Sequence, residues 1–240
     1  MGRMTSAPTT VFTPAARVRG TLAMIAGRDE TAAVYRRFGL RLSADGYAVG
    51  VFEGADATAA ASWLGDQPDA PRVLVGSDTG ASAVLTALAQ GDVADAAIVA
   101  GIVVDVEHTP TDAERTACPV HLGVLAEQHA ASTQDAPVPE PVEGPESAVG
   151  LPDPADLAAI SVPVLAVHGG ADPVSPFAQA QAALAAIPDL EVVETVDGLH
   201  DALNDQTHRS VAASIVLWLE RLRAGDVHAP IVRHAEGVNA

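Results

Sequence analysis

Apolar and polar positions along this chain follow two rhythms. Short apolar runs recur at intervals: Thr21-Leu22-Ala23-Met24-Ile25-Ala26, residues 47–52, Val73-Leu74-Val75, Ala96-Ala97-Ile98-Val99-Ala100, Val162-Pro163-Val164-Leu165-Ala166-Val167 and residues 190–196. Runs this short, with little polar alternation, suit strands buried on both faces. Between them, apolar residues fall at helical spacing. Val34, Tyr35, Phe38 and Leu42 predict a helix over 31–44, ended by Gly46. Further helices are predicted over 56–64 with Asp56 as N-cap, from 81 to about 90, near 177–187, and over 210–222, where Val211, Ile215, Trp218, Leu219 and Leu222 share a face. Strands alternating with helices predict an α/β fold, a mostly parallel sheet covered on both faces.

Residues 105–160 break the rhythm, being acidic, histidine-containing and rich in proline. The stretch from Asp135 through Pro137, Pro139 and Pro141 to Pro145 cannot lie inside a helix or a central strand, because each proline removes a backbone donor. Loops of this length in compact domains serve as lids or flexible inserts. The expectation is one domain over 1–240, with a short lid at 105–160.

Composition narrows the function classes. Hydrophobic residues make up 48% of the chain and mean hydropathy is +0.22, so a sizeable core is affordable. Aromatics are only 3%, which leaves little material for an aromatic-walled pocket. The net charge of −18 disfavours nucleic acid, which needs basic surface, and opposes anionic membranes. All 13 Lys+Arg residues are arginine, which excludes a lysine base, a Schiff base and a P-loop lysine. Cys118 is the single cysteine, so no internal disulfide forms, as suits a reducing cytoplasm. No apolar signal segment opens the chain and no run reaches membrane-span length. The expectation is a cytoplasmic protein without stable membrane insertion, acting on a small-molecule or lipid-like substrate.

The candidate chemistry lies at strand ends. Gly76-Ser77-Asp78-Thr79-Gly80 follows one strand pattern and precedes a small-residue helix. Its glycines permit a tight turn that pushes the central side chain above the sheet. Asp172, in His168-Gly169-Gly170-Ala171-Asp172, and His200, in Gly198-Leu199-His200, follow two later strands. An acid that orients a histidine, and a histidine that moves protons at a nucleophile or a water, form a catalytic set.

These segments, with Ile25-Ala26-Gly27-Arg28-Asp29-Glu30, Tyr35, Asp45-Gly46-Tyr47 and His200-Asp201-Ala202-Leu203-Asn204-Asp205, resemble the α/β-hydrolase superfamily on its lysophospholipase- or monoacylglycerol-lipase-like branch. The likeness covers residues 19–222 apart from the lid. It implies Asp78 at the nucleophile elbow, His200 as base, Asp172 as its orienter, and the backbone N–H groups of Arg28 and Thr79 as oxyanion donors. The departure is Asp78, since the usual residue is serine. Elbow aspartates resemble those of haloalkane dehalogenases and epoxide hydrolases, in which the carboxylate attacks an sp3 carbon. Those enzymes hold the leaving atom with cap tryptophans or tyrosines, and residues 105–160 contain neither. The leading expectation is a hydrolase of a small or lipid-like carboxylic ester. The alternatives are an aspartate-nucleophile hydrolase at sp3 carbon and a non-catalytic binding protein on a hydrolase scaffold. Ser77, Asp29 and His168 are candidate substrate-lining residues. None of these readings requires a cofactor or a metal; Cys118, His121, His108 and His129 match no zinc spacing.

Overall fold

Seven strands build one sheet in the order β1-β3-β2-β4-β5-β6-β7. In chain order they are β1 (Thr10–Phe12), β2 (Gly20–Ile25), β3 (Tyr47–Phe52), β4 (Arg72–Ser77), β5 (Ala96–Ala100), β6 (Val164–Gly169) and β7 (Leu190–Thr195). All neighbouring pairs are parallel except β1 with β3. The helices are α1 (Arg36–Ala44), α2 (Ala57–Gly65), α3 (Thr79–Ala89), α4 (Asp112–Arg115), α5 (Pro119–Gln134), α6 (Pro154–Ala158), α7 (Phe177–Leu184) and α8 (His208–Arg223). This computed structural model describes residues 7–54, 57–68, 71–91, 93–134 and 150–233.

The continuous apolar runs are the central strands, buried along their full length. Successive side chains go to opposite faces. Leu22, Met24, Val73, Val75 and Ile98 join one core with Phe38 and Leu42 of α1 and Ile215, Trp218 and Leu219 of α8. Ala23, Ile25, Leu74, Ala97 and Val99 join the other with α2, α3 and α7. Each fully buried large apolar side chain is worth about 1.5–3 kcal/mol. With few aromatics, many alanines and valines share this work.

Several boundaries differ from the sequence pattern. The helix expected over 31–44 begins at Arg36, because residues 31–36 form successive turns, with N–H groups of Val34, Tyr35 and Arg36 bonded to carbonyls three residues back. Those turns are held from outside by the Tyr35 hydroxyl, which accepts from Gly27 N–H at 3.0 Å. Strand β1, only three residues long, is too short to show a pattern. Strand β6 starts at Val164, just after Pro163, which has no N–H to give. Within 105–160, the described residues hold α4, α5 and α6. The proline run at 135–145 lies outside the described residues, as does Asp56. Among the described residues no helix is long and apolar enough to cross a membrane.

The elbow depends on two close approaches. A Cβ on Gly76 would press into the backbone of Gly80 and Ala81, and one on Gly80 would lie 2.6 Å from the Ala26 carbonyl oxygen. Gly80→Ala is therefore expected to destabilise the fold by about 1–3 kcal/mol, the usual cost of overpacking. Chemical denaturation would read this, and an unchanged midpoint would contradict so tight a contact between α3 and the end of β2.

Candidate functional site

Three loops at the carboxyl ends of β4, β6 and β7 converge. Asp78 takes a left-handed backbone conformation, φ 51 and ψ −125, which is strained for a residue with a side chain. Its N–H is held by the Ala100 carbonyl at 3.1 Å, and its carbonyl accepts from Ala81 N–H as α3 begins. Asp172 Oδ1 accepts from the N–H groups of Val174 at 2.8 Å and Ser175 at 3.1 Å, which fixes its rotamer. Its other oxygen faces His200 Nδ1 at 2.8 Å. His200 Nε2 then faces Asp78 Oδ1 at 3.3 Å. The sequence-predicted trio thus forms one line, Asp172–His200–Asp78, buried throughout.

Arg28 closes that line. Its backbone N–H donates to Asp78 Oδ2 at 2.7 Å. Its guanidinium donates to the same carboxylate, from Nη2 to Oδ1 at 3.0 Å and from Nε to Oδ2 at 3.4 Å, while Nη1 reaches the His108 carbonyl at 2.8 Å. The amide expected to hold an oxyanion therefore already holds one carboxylate oxygen of Asp78. Thr79 is the first residue of α3 and Ser77 the last of β4, both buried. His168 stands behind Asp172, with Nε2 3.0 Å from Oδ2 and 2.6 Å from the Ser175 carbonyl. Asp29 is exposed, in a left-handed turn beside Arg28.

Charge follows from this geometry. Burial opposes ionisation of Asp78, but hydrogen bonds from His200 and Arg28 outweigh it and hold the carboxyl well below its ordinary range. Burial likewise opposes the charge on Asp172, and bonds from His168 and His200 overcome it. For His200, burial would lower the pKa, yet Asp172 and Asp78 on its two nitrogens raise it to about 10. The ring is an imidazolium that donates from both nitrogens. A folded pKa above the unfolded value of about 6.5 means that its stabilisation is complete below that pH and is lost as pH rises to about 10. Urea midpoints should fall across this window in the native chain and much less in His200→Gln; equal slopes would argue against the doubly paired ring.

A second buried cluster lies behind the Arg28 loop. Arg115 donates from Nε to Asp201 Oδ2 at 3.1 Å and forms an ion pair through Nη2 with Glu30. Glu30 also accepts from Gly27 N–H at 3.0 Å and from the Tyr35 hydroxyl. Burial and the Asp201 charge raise Glu30 to about 7 despite Arg115. His121 Nε2 lies 2.6 Å from Asp201 Oδ2. Glu30, His121 and Asp201 bring ligand atoms within 4.8 Å of one another. The cation serving this cluster is the Arg115 guanidinium. His108 and His129 pair elsewhere, with Glu114 and Asp112, so the histidines and Cys118 do not converge.

Sequence reasoning named Arg28 only for its amide and did not single out Arg115 or Asp201. A signal for α4 was present: Thr111-Asp112-Ala113-Glu114 is a capping box, and Thr111 and Glu114 make both of its bonds.

No protein-family model matches the sequence, and no curated protein matches it. Solved structures do match the fold. An esterase domain from Rhodothermus marinus aligns over 88% of this chain and 91% of its own, with TM-score 0.61 and 16% identity. A monoacylglycerol lipase from Paleococcus ferrophilus aligns over 88% and 96%, with TM-score 0.58 and 16% identity. A serine hydrolase involved in carbazole degradation covers 83% and 91%, with TM-score 0.59 and 16% identity. The chain has the α/β-hydrolase fold. Within that α/β-hydrolase fold, Asp78 occupies the strand-to-helix turn after β4, and Asp172 and His200 follow β6 and β7.

Proposed function

We propose that this chain is a hydrolase of small molecules in which Asp78 is a covalent nucleophile acting at an electrophilic sp3 carbon, within a single α/β-hydrolase domain. The observation that carries this reading is the division of labour on the Asp78 carboxylate. Oδ2 sits on the Arg28 amide, while Oδ1 faces His200 Nε2.

Oδ1 attacks carbon and the leaving group departs with its bonding electrons. An epoxide oxygen would take its proton from the His200 imidazolium; a halide leaves as the anion. Esterification removes the Asp78 charge, so His200 loses a main support of its high pKa and, in the halide case, gives its proton to bulk water. The neutral ring then accepts a proton from a water attacking Cγ. The resulting oxyanion forms on Oδ2, where the Arg28 amide already donates. Cleavage of the Cγ–Oδ1 bond, with the proton returned by His200, releases the alcohol. The remaining proton on the new carboxyl passes to His200 and restores the ion pair.

Ester hydrolysis by a water activated on His200, with Asp78 as a second carboxylate, is the second reading. It is favoured by the named activities of the esterase and lipase neighbours. Against it, both ring nitrogens of His200 face carboxylates, which favours the charged ring over a free base, and the Arg28 amide is already engaged.

Water enriched in heavy oxygen separates the two. In a single turnover of 1-bromobutane, styrene oxide or an aryl butyrate, the nucleophile reading puts the label into Asp78 and leaves the first product unlabelled. Label in the first product, with none in Asp78, selects direct water attack. Absence of turnover across the panel would overturn both and leave the binding scaffold.

A further inference from the structure

The backbone amide of Arg28 serves the oxyanion in the proposed cycle, but its guanidinium, which lies on the Asp78 carboxylate, has no assigned task. It donates two side-chain bonds to Asp78 and a third to a neutral carbonyl, that of His108. Once Asp78 becomes an ester, those two donors face a neutral group. Leaving a largely buried cation without its anion is costly, so the site in that state calls for another anion. The other cations close by are committed: Arg115 to Glu30 and Asp201, and His200 to Asp172.

The chain's large aromatic groups do not fill this need. Trp63 packs edge-on to Phe52, Trp218 lies in the core, the Tyr35 hydroxyl is bound to Glu30 and the Tyr47 hydroxyl to Glu220. Arg28 and Arg115 border open space, and of the two Arg115 is already paired with Glu30 and Asp201. Arg28 lines a cleft of about 520 Å³ with Asp29, Thr109, Thr111, Asp112, Arg115 and His129. Its side chain is 16% exposed, against 2% for Asp78. The walls are mostly polar, and the carboxylates of Asp29 and Asp112 oppose a multiply charged anion.

We propose that Arg28 is the anion-binding group of this site, taking a small monovalent anion when Asp78 is uncharged. That anion is either a carboxylate carried by the substrate or the departing leaving group. The inference rests on the reading of Asp78 as the residue that is esterified, but binding can be tested without turnover. Asp78→Asn reproduces the charge state of the ester at nearly constant shape.

Titration calorimetry at constant ionic strength would compare sodium propionate and sodium bromide on the native chain, Asp78→Asn, and Asp78→Asn combined with Arg28→Gln. The single variant should bind one of these anions roughly tenfold or more tighter than the native chain, a gain of about 1.4 kcal/mol, and the double variant should lose that gain. Preference for propionate assigns a substrate carboxylate; preference for bromide assigns the leaving anion. Equal affinity in the native chain and Asp78→Asn overturns the proposal, as does a gain that survives Arg28→Gln. If Asp78→Asn does not fold by circular dichroism, Asp78→Ser removes the same charge and takes its place. Anion binding through Arg28 without heavy oxygen in Asp78 would keep this site and sink the nucleophile reading. Label without anion binding would do the reverse.

Discussion

With His200 replaced by glutamine, the protein is expected to stall as an ester on Asp78. Asp78 is ionised with either residue at position 200, because Arg28 still supports its charge through the amide and the guanidinium. Attack on a reactive alkyl halide therefore proceeds. The next step needs a base for water, and glutamine has none. Loss of a positioned general base should lower steady-state turnover by about 10²–10⁴-fold. The adduct is easy to locate: Arg72 and Arg115 are consecutive tryptic sites, so Asp78 falls in the peptide 73–115. After incubation with 1-bromobutane, that peptide should carry one butyl group in the variant and none in the native chain. Turnover lost to the same degree, with the peptide unmodified, would mean that water and not Asp78 makes the first attack.

Arg115→Met should be among the most damaging single changes in the chain. Methionine fills much of the volume but leaves Glu30 and Asp201 as buried carboxylates without their shared cation. Breaking a buried pair on one side costs about 3–5 kcal/mol. The loss should depend on pH. Glu30 is already raised to about 7, so its contribution to stability is complete below its ordinary value and is lost as pH rises through 7. Without Arg115, which pulls it down, that loss extends to higher pH. Urea unfolding should therefore show a smaller deficit at about pH 5 than at about pH 8. Adding Glu30→Gln should recover part of the deficit at the higher pH. A deficit below about 1 kcal/mol would place Arg115 with ordinary surface ion pairs.

Much of this arrangement was legible in the chain. The buried strands announced themselves because a strand covered on both faces has little polar position to confuse the pattern, as in Ala96-Ala97-Ile98-Val99-Ala100. Asp78, Asp172 and His200 could be singled out because each follows such a run within a few residues, and strand ends share one edge in a parallel sheet. The Arg28 side chain was not legible, because whether a guanidinium turns back over a carboxylate depends on loops far apart in sequence. Arg28 and His108 are 80 residues apart. The cluster of Glu30, Arg115 and Asp201 escaped for the same reason, since three isolated charges carry no period. The helix expected from residue 31 failed locally, where Tyr35 is anchored to Gly27 and Glu30 instead of continuing a helical turn.

The seal over Asp78 bears on the pace of the proposed chemistry. Asp78 and His200 each keep only 1% of their surface in contact with solvent, and the guanidinium of Arg28 lies across the carboxylate. Under the proposed reading of Asp78 as nucleophile, a reactant reaches it only when that side chain moves aside. Motions of this kind are slower than side-chain rotation on a free surface. In the proposed chemistry, wherever that movement is slower than the bond-making step, substrates of very different intrinsic reactivity turn over at similar speed.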